Sequence, residues 1–537
     1  MNDLASTGST TNSQLAVIKS GFDALVREMA INLRRSAFSS IVRESRDFAV
    51  ALLDRDGEVV AQAECIPIMT AGIALAFQGA RAVIDMSGIG PDDAILMNDP
   101  FNGGQHLQDI YLFTPIFANN ELIGFGASTA HHVDLGGAFP GLSAQATEIF
   151  QEGLRFPAAR FSVPRDYLPS DGFVRRIIEG NVRVPDAVIG DLDAQFAASR
   201  TADRRLRELT ERYGVSACSS AMEELKNYSE VRTREAIRRL PNGVYTARET
   251  YEGASWGVDE VVVYATVRVL GDEIEVDFDG TSDQLRGNTN CPFASTVSAV
   301  QSAIRCIIDE KDIDFNEGCN RPLRITAPLG SVLNPQQPAA VRSRLTPASR
   351  VFNAVVRSLS EVVPGAMVAT GYDSSTVLAI SKQQESGSYD VVVELIGGGW
   401  GACAEHDGAN GMDNPISNCA NAPVEALESD YSYFAVTEYS MIGDSGGRGA
   451  TSGGMGVRRI YLALEDDVLI AGYSDRHARG ARGLRGGGDG APGSFMIERA
   501  DGSTERMPTV YDARLNRGDR LVIQTGGGGG FGETRQS

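Results

Sequence analysis

No stretch of this 537-residue chain approaches the ~18–20 uninterrupted apolar residues of a membrane-spanning helix. Met1 to Ser13 also lacks the basic start and apolar centre of a secretion signal, so the expected location is the cytoplasm. Positive charge is short as well. Lys and Arg number 49 against 70 Asp and Glu, a formal charge of −21 with pI near 4.8. Such a surface repels phosphate backbones and anionic lipid, which argues against nucleic-acid or membrane binding. The densest basic run, Arg200 to Arg212, is interleaved with Asp203, Glu208 and Glu211 and reads as a solvated helix face. The seven cysteines contain no C-x-x-C pair, which argues against a disulfide framework and a thiolate zinc site; reduced, mostly buried thiols are expected. No G-x-x-x-x-G-K-[ST] motif is present, so ATP is not expected on a P-loop of this chain. There is no regular internal repeat.

Histidine is scarce too, at five residues, yet His106, His131 and His132 fall within residues 106–132. The first segment reads Asn98-Asp99-Pro100-Phe101-Asn102-Gly103-Gly104-Gln105-His106-Leu107-Gln108-Asp109, and the second Ser128-Thr129-Ala130-His131-His132-Val133-Asp134-Leu135-Gly136-Gly137. Imidazole and carboxylate are the ligands that borderline divalent cations prefer. Histidines in glycine-rich loops often satisfy only local hydrogen bonds, but three of them beside Asp109 and Asp134 point to a metal site. His406 and His477 are isolated, and Cys291 has no identifiable histidine partner; loop bonding and burial are expected of them.

The length accommodates several domains and a complete enzyme subunit. Apolar residues at three- and four-residue steps predict a helix from Leu15 to about Ile41. Asp47 to Leu53 and Glu58 to Ala63 then form a hairpin, as do Ile110 to Phe117 and Leu122 to Thr129 around Ala118-Asn119-Asn120-Glu121. The second hairpin brings Asp109 and His131 to one open end. Strand alternation sends His131 and His132 to opposite faces: an even-length loop puts Asp109 with His132, whereas one bulged residue puts it with His131. Pattern alone does not choose. Further helices are expected over Asp191 to Tyr213, Val215 to Leu240, Thr296 to Asp309 and Ala348 to Val362, with an antiparallel sheet in Gly243 to Phe278. The fold class is α+β and multidomain, with mixed and antiparallel sheets. Residues 1–240 form an α+β metal-site domain, 241–389 a central α+β domain, and 390–537 a β-rich, Gly-rich region. The clustered glycines there mark tight turns or close backbone approaches rather than disorder.

These residues resemble the hydantoinase B/oxoprolinase family over nearly the whole chain. The resemblance rests on dispersed motifs in order: Arg43 to Phe48, Asn98 to Gly104, His106 to Asp109, His131 to Gly137, Glu148 to Leu154, Asp277 to Ser282, Asn288 to Pro292, Pro423 to Glu425, Asp444 to Gly447 and Gly526 to Gly532. It implies a divalent metal (zinc, manganese or iron) held by Asp47, His106, Asp109 and His131, with His132 and Asp134 as candidates for orienting or proton-transfer roles. One departure is the run Ile66-Pro67-Ile68-Met69-Thr70-Ala71-Gly72, where related sequences often carry a histidine shortly after Ile-Pro. The resemblance further implies a B subunit of an ATP-dependent hydantoinase or lactamase. A partner A subunit would phosphorylate the cyclic amide, and this chain would complete its hydrolysis within a hetero-oligomer. The alternatives are a subunit of an ATP-dependent ketone carboxylase and a noncatalytic assembly subunit whose metal staples loops.

Overall fold

The structure, a computed structural model, describes residues 12–534 except 309, 310, 364 and 366. Residues 1–11 of the polar N-terminal segment, and Asp309 of the helix expected there, lie outside the described residues. Helix α1 (Asn12–Ser36) is followed by the short α2 (Ser40–Arg43), so the leading helix stops before Ile41. The cause is Asp191, whose Oδ1 accepts the amides of Phe38 (2.8 Å) and Ser39 (3.1 Å) and so draws them out of the helical ladder.

The first sheet is built from β1 (Phe48–Asp54), β2 (Val59–Gln62), β3 (Asp93–Met97), β4 (Asp109–Ala118), β5 (Glu121–His131) and β6 (Ala159–Ser162), in the order β2-β1-β5-β4-β3-β6. Helix α3 (Pro67–Val83) covers one face, where Phe77 packs on Phe113 and Phe125. Beyond β6 come α4 (Phe173–Glu179), α5 (Pro185–Tyr213) and α6 (Val215–Ile237). Helix α5 covers the other face: a Cβ on Gly126 would meet Ala202. Phe125 and Gly126 thus point to opposite layers, as strand alternation requires.

The second sheet comprises β7 (Gly243–Glu252), β8 (Glu260–Leu270) and β9 (Glu273–Asp277), all antiparallel. After α7 (Phe293–Ile308), β10 (Leu323–Thr326) joins β9 in parallel, and α8 (Leu345–Leu359) packs on β7 and β8. The remaining strands are β11 (Thr376–Gln383), β12 (Tyr389–Ile396), β13 (Phe434–Met441), β14 (Val457–Ala463), β15 (Val468–Tyr473), β16 (Ser494–Glu498), β17 (Thr504–Met507), β18 (Val510–Leu515) and β19 (Arg520–Gln524), with α9 (Val424–Asp430) before β13. They form sheets ordered β12-β11-β15-β18 and β13-β14-β19-β16-β17.

The sheet containing β11 and β12 is a shared wall. Val377, Ala379, Val391, Val393 and Leu395 belong to the core built on the first two sheets, whereas Leu378, Ile380, Val392 and Ile396 belong to the core of the final sheet. Residues 389 and 390 sit at the start of β12, which pairs with β11 from Gln383 and Tyr389 onward.

The glycine clusters pack backbone against backbone. Gly527 and Gly530 donate to Ala491 and Gly488 of one neighbouring segment, while Gly528 and Gly529 donate to Gly454 and Thr370 of two others. Successive amides turning to different neighbours, and returning after three residues, match an extended threefold helix. No Cβ fits: one added to Gly528 would lie 1.8 Å from the Trp400 carbonyl oxygen. Trp400 Nε1 in turn donates to the Asp413 carbonyl (2.6 Å), tying this bundle to the loop that carries Ser417.

Candidate metal centre

Three neighbouring strands end together. Phe48 pairs with Ala130 and Asp109 with His131, so Asp47, Asp109 and His131 come side by side at one edge of the first sheet. The choice between His131 and His132 is made far away. The β4–β5 register shifts between Ile116 and Phe117, and that single bulge near the turn places Asp109 opposite His131 for the rest of the hairpin. A tight turn, with the Asp109 amide on the His106 carbonyl (3.1 Å), adds His106 to the same point.

His106, Asp109 and His131 each offer a ligand atom within 4.8 Å of the others. His106 Nδ1 stands 2.9 Å from Asp109 Oδ2, and His131 Nδ1 is 3.7 Å from Asp109 Oδ1 and 3.5 Å from Asp47 Oδ2. Ligand atoms ~2.1 Å from a tetrahedral ion stand roughly 3.4 Å apart, so these separations suit a common cation. His106 Nδ1 and Asp109 Oδ1 are buried and make no aligned hydrogen bond despite their proximity. Orphaned donor atoms converging in this way, from two imidazoles and two carboxylates, fit a divalent ion.

The electrostatics are those of a desolvated cluster. Burial, with Asp109 nearby, pushes Asp47 up to about 8, and burial pulls His131 down to about 4. His106 also falls well below its ordinary value through burial and the Arg344 charge. Burial alone would raise Asp109, but His106 and Arg344 outweigh it and hold that carboxyl well below the usual range. Neutral imidazoles are the form that binds metal.

The cluster opens on an enclosed cavity of about 20 Å³, room for one water-sized group. Ile66, Ile68, Val377 and Leu395 form its apolar wall, and Arg342, Arg344 and Tyr473 supply polar groups. Ile66 and Ile68 come from the run that lacks the family's histidine.

His132 and Asp134 do not join this cluster. His132 points to the α5 face, where Nε2 pairs with Gln195 Oε1 at 3.0 Å. Asp134 organises a loop: it accepts the amides of Gly136, Gly141 and Arg183 at 2.8–3.1 Å and an Arg183 guanidinium at 3.2 Å. Proton transfer at the cluster is therefore not assigned to either. Cys291 is fully buried, accepts from Thr296, and is pushed up to about 12 by burial, which makes it a poor nucleophile. His477 is buried against Phe495, and His406 is exposed. Among the described residues a second group of carboxylates, Asp54, Glu58 and Glu223, already surrounds the Lys226 ammonium.

Arg342 and Arg344 escaped the motif-based reading. One signal was available: two cations sit immediately before α8, where the helix dipole disfavours positive charge.

A model of the hydantoinase B/oxoprolinase family matches residues 12–534. The putative D-/L-hydantoinase B subunit of a Pseudomonas species is 32% identical over 96% of this chain and 89% of its own length. 5-oxoprolinase 1 of Arabidopsis thaliana is 28% identical over 97% of this chain, which spans 42% of that protein. Among solved structures, the ATP-dependent caprolactamase from Pseudomonas jessenii superposes with a TM-score of 0.90 at 25% identity, covering 98% of this chain and 92% of that one.

Proposed function

Because this chain belongs to the hydantoinase B/oxoprolinase family, we propose that it is the metal-bearing B subunit of a cytoplasmic, ATP-dependent cyclic amide hydrolase of the hydantoinase/lactamase type. The observation that carries this reading is the buried convergence of His106, Asp109 and His131, with Asp47 beside them, in a chain matching a hydantoinase B subunit over nearly its full length. Asp47, His106, Asp109 and His131 hold the divalent ion, and their ligand chemistry suits zinc, manganese or iron.

An unstrained cyclic amide is a poor electrophile. Phosphorylation of its oxygen by an A-type partner, the other member of a hetero-oligomer, makes the ring carbon attackable; water adds there, the ring C–N bond breaks to leave an amine and an acyl phosphate, and a second water releases phosphate and the open-chain acid. The absence of a P-loop motif here, and the presence of further chain in the oxoprolinase relative, support placing ATP on that partner. When bound, the ion would supply Lewis acidity and lower the pKa of water at the reacting carbon. The residues of this chain do the rest. Ile66, Ile68, Val377 and Leu395 form the apolar wall beside the ligands, and their burial excludes bulk water. Asp134 holds the Gly136–Gly141 loop, whose Gly141 carbonyl accepts from Arg342 at 3.1 Å.

The test is co-purification with the A-type partner, metal analysis, and an ATP-dependent screen of hydantoins and lactams with and without bicarbonate. Ring opening independent of bicarbonate and dependent on both proteins is expected. Bicarbonate dependence would transfer the chain to the ketone carboxylase reading, and ATP hydrolysis by the pure chain alone would end the division of labour.

A further inference from the structure

Ion binding leaves two charged side chains unexplained. Arg342 and Arg344 lie on the segment before α8, are 1% and 3% exposed, and face the same small cavity as Asp47, His106 and His131. Arg344 meets Asp109 Oδ2 at 2.6 Å. Arg342 meets no carboxylate among the described residues: its Nη2 reaches only His131 Nε2 (3.3 Å) and the Gly141 carbonyl (3.1 Å). Glu152 accepts the backbone amides of Val341 and Arg342 rather than the guanidinium. The Nε atoms of both arginines are buried without a partner.

A guanidinium does not lose its proton, and a buried one without a counter-ion is strongly destabilising. Here the charge count is informative. Asp47 and Asp109, as ligands, balance a divalent ion, and the other buried carboxyls nearby, Glu152 and Asp413, accept from backbone amides and Ser375 rather than from either guanidinium, which leaves the two guanidiniums facing the cavity without a carboxylate of their own. A neutral cyclic amide does not satisfy them. A dianion carrying several acceptor oxygens does, and the planar fork of arginine is suited to phosphoryl oxygens.

We propose that Arg342 and Arg344 form an oxyanion subsite beside the metal ligands that takes the phosphoryl group of the activated substrate. This rests on the hydrolase reading for the identity of the ligand, though not for the existence of the subsite. With Nδ1 of His131 on the ion, its Nε2 carries the ring proton and no longer accepts from a guanidinium, so metal loading releases Arg342 Nη2 to another acceptor. Anion binding and ligand geometry are thereby coupled: the ring nitrogen that Arg342 releases is the one opposite the ligating edge of His131. The Tyr473 ring lines the same space and completes the polar side.

The experiment uses the full chain and inorganic phosphate as probe, with acetate as a singly charged comparison. Calorimetry measures affinity, and broadening of the phosphorus NMR signal by bound Mn²⁺ reports proximity to the metal. Wild type is expected to bind phosphate more tightly than acetate and to broaden its signal. R342Q is expected to bind phosphate at least about tenfold more weakly, the loss that accompanies removal of a charge-assisted hydrogen bond, at unchanged metal content. R342K keeps the charge without the fork and should fall between them, which also covers a failure of R342Q to fold. Equal affinity in wild type, R342K and R342Q, or no phosphate binding by wild type, overturns the subsite. Arg342-dependent phosphate binding without any ATP-dependent ring opening keeps the subsite and removes the hydrolase reading; ring opening without Arg342-dependent phosphate binding does the reverse.

Discussion

Gly528→Ala is a small change in sequence with a large expected effect. The added Cβ would sit 1.8 Å from the Trp400 carbonyl oxygen, 2.2 Å from its carbon and 2.8 Å from the Gly401 nitrogen. All three are backbone atoms, so no side-chain rotation relieves the clash. Moving the strand away instead strains three hydrogen bonds: Gly528 amide to Gly454 (2.9 Å), Gly454 amide to Trp400 (2.8 Å) and Gly447 amide to the Gly528 carbonyl (2.8 Å). Overpacking costs about 1–3 kcal/mol, and a buried group left without its partner about 1–3 kcal/mol more, so roughly 2–6 kcal/mol is expected. An unfolding entropy of about 2.1 cal/mol/K per residue over 537 residues converts this to a melting temperature lower by roughly 2–5 °C if the chain unfolds as one unit. Gly443→Ala is the control, since that exposed glycine has open space around its Cβ position. Scanning calorimetry of both variants decides the matter. A wild-type melting temperature for Gly528→Ala would falsify the backbone-packed bundle.

His106→Ala should lose bound metal and ring-opening product together while keeping its fold and its partner, because the site is a small part of the core; metal analysis beside a melting curve checks this. Full turnover by a metal-free variant would remove the metal from the mechanism. His132→Ala should behave in the opposite way, retaining metal while losing about 1–3 kcal/mol through the buried Gln195 Oε1 it leaves unpaired; loss of metal with unchanged stability would refute its placement on the α5 face. Lys226→Met breaks a buried ion cluster with Asp54, Glu58 and Glu223 and should destabilise by roughly 3 kcal/mol. For pH, burial opposes both charges, but the Lys226–Asp54 bond raises the lysine and the Lys226–Glu58 bond lowers the glutamate. The cluster therefore stabilises fully between the ordinary values of 4.5 and 10.5, and its contribution fades as pH falls below the first or rises beyond the second. The difference in melting temperature between wild type and Lys226→Met should shrink at both extremes, and a constant difference would contradict the assignment.

Local periodicity was enough for most helices and for both N-terminal hairpins, because apolar spacing and turn residues act over a few positions. The ligand types were legible for the same reason: His106-x-x-Asp109 and the His131-His132 pair state their chemistry without a structure. Which histidine faces inward was not legible in the pattern, and only the family resemblance pointed to His131. That depends on one bulge beside Ile116, an irregularity some distance from the ligands that shifts every later residue to the other face. The end of α1 was likewise decided from outside, by Asp191 more than 150 positions away. Asp134 looked like a site residue by proximity, yet the loop folds its carboxylate onto four donors. Arg342 and Arg344 carry no motif at all; only packing of the segment before α8 against the first sheet removes them from water and brings their charge to the cluster. Sequence by itself determined the inventory of candidate ligands, the strand pairs and the need for close glycine packing. Tertiary structure alone decided the facing of side chains and the burial of charge, because both depend on contacts between segments whose separation along the chain leaves no local trace.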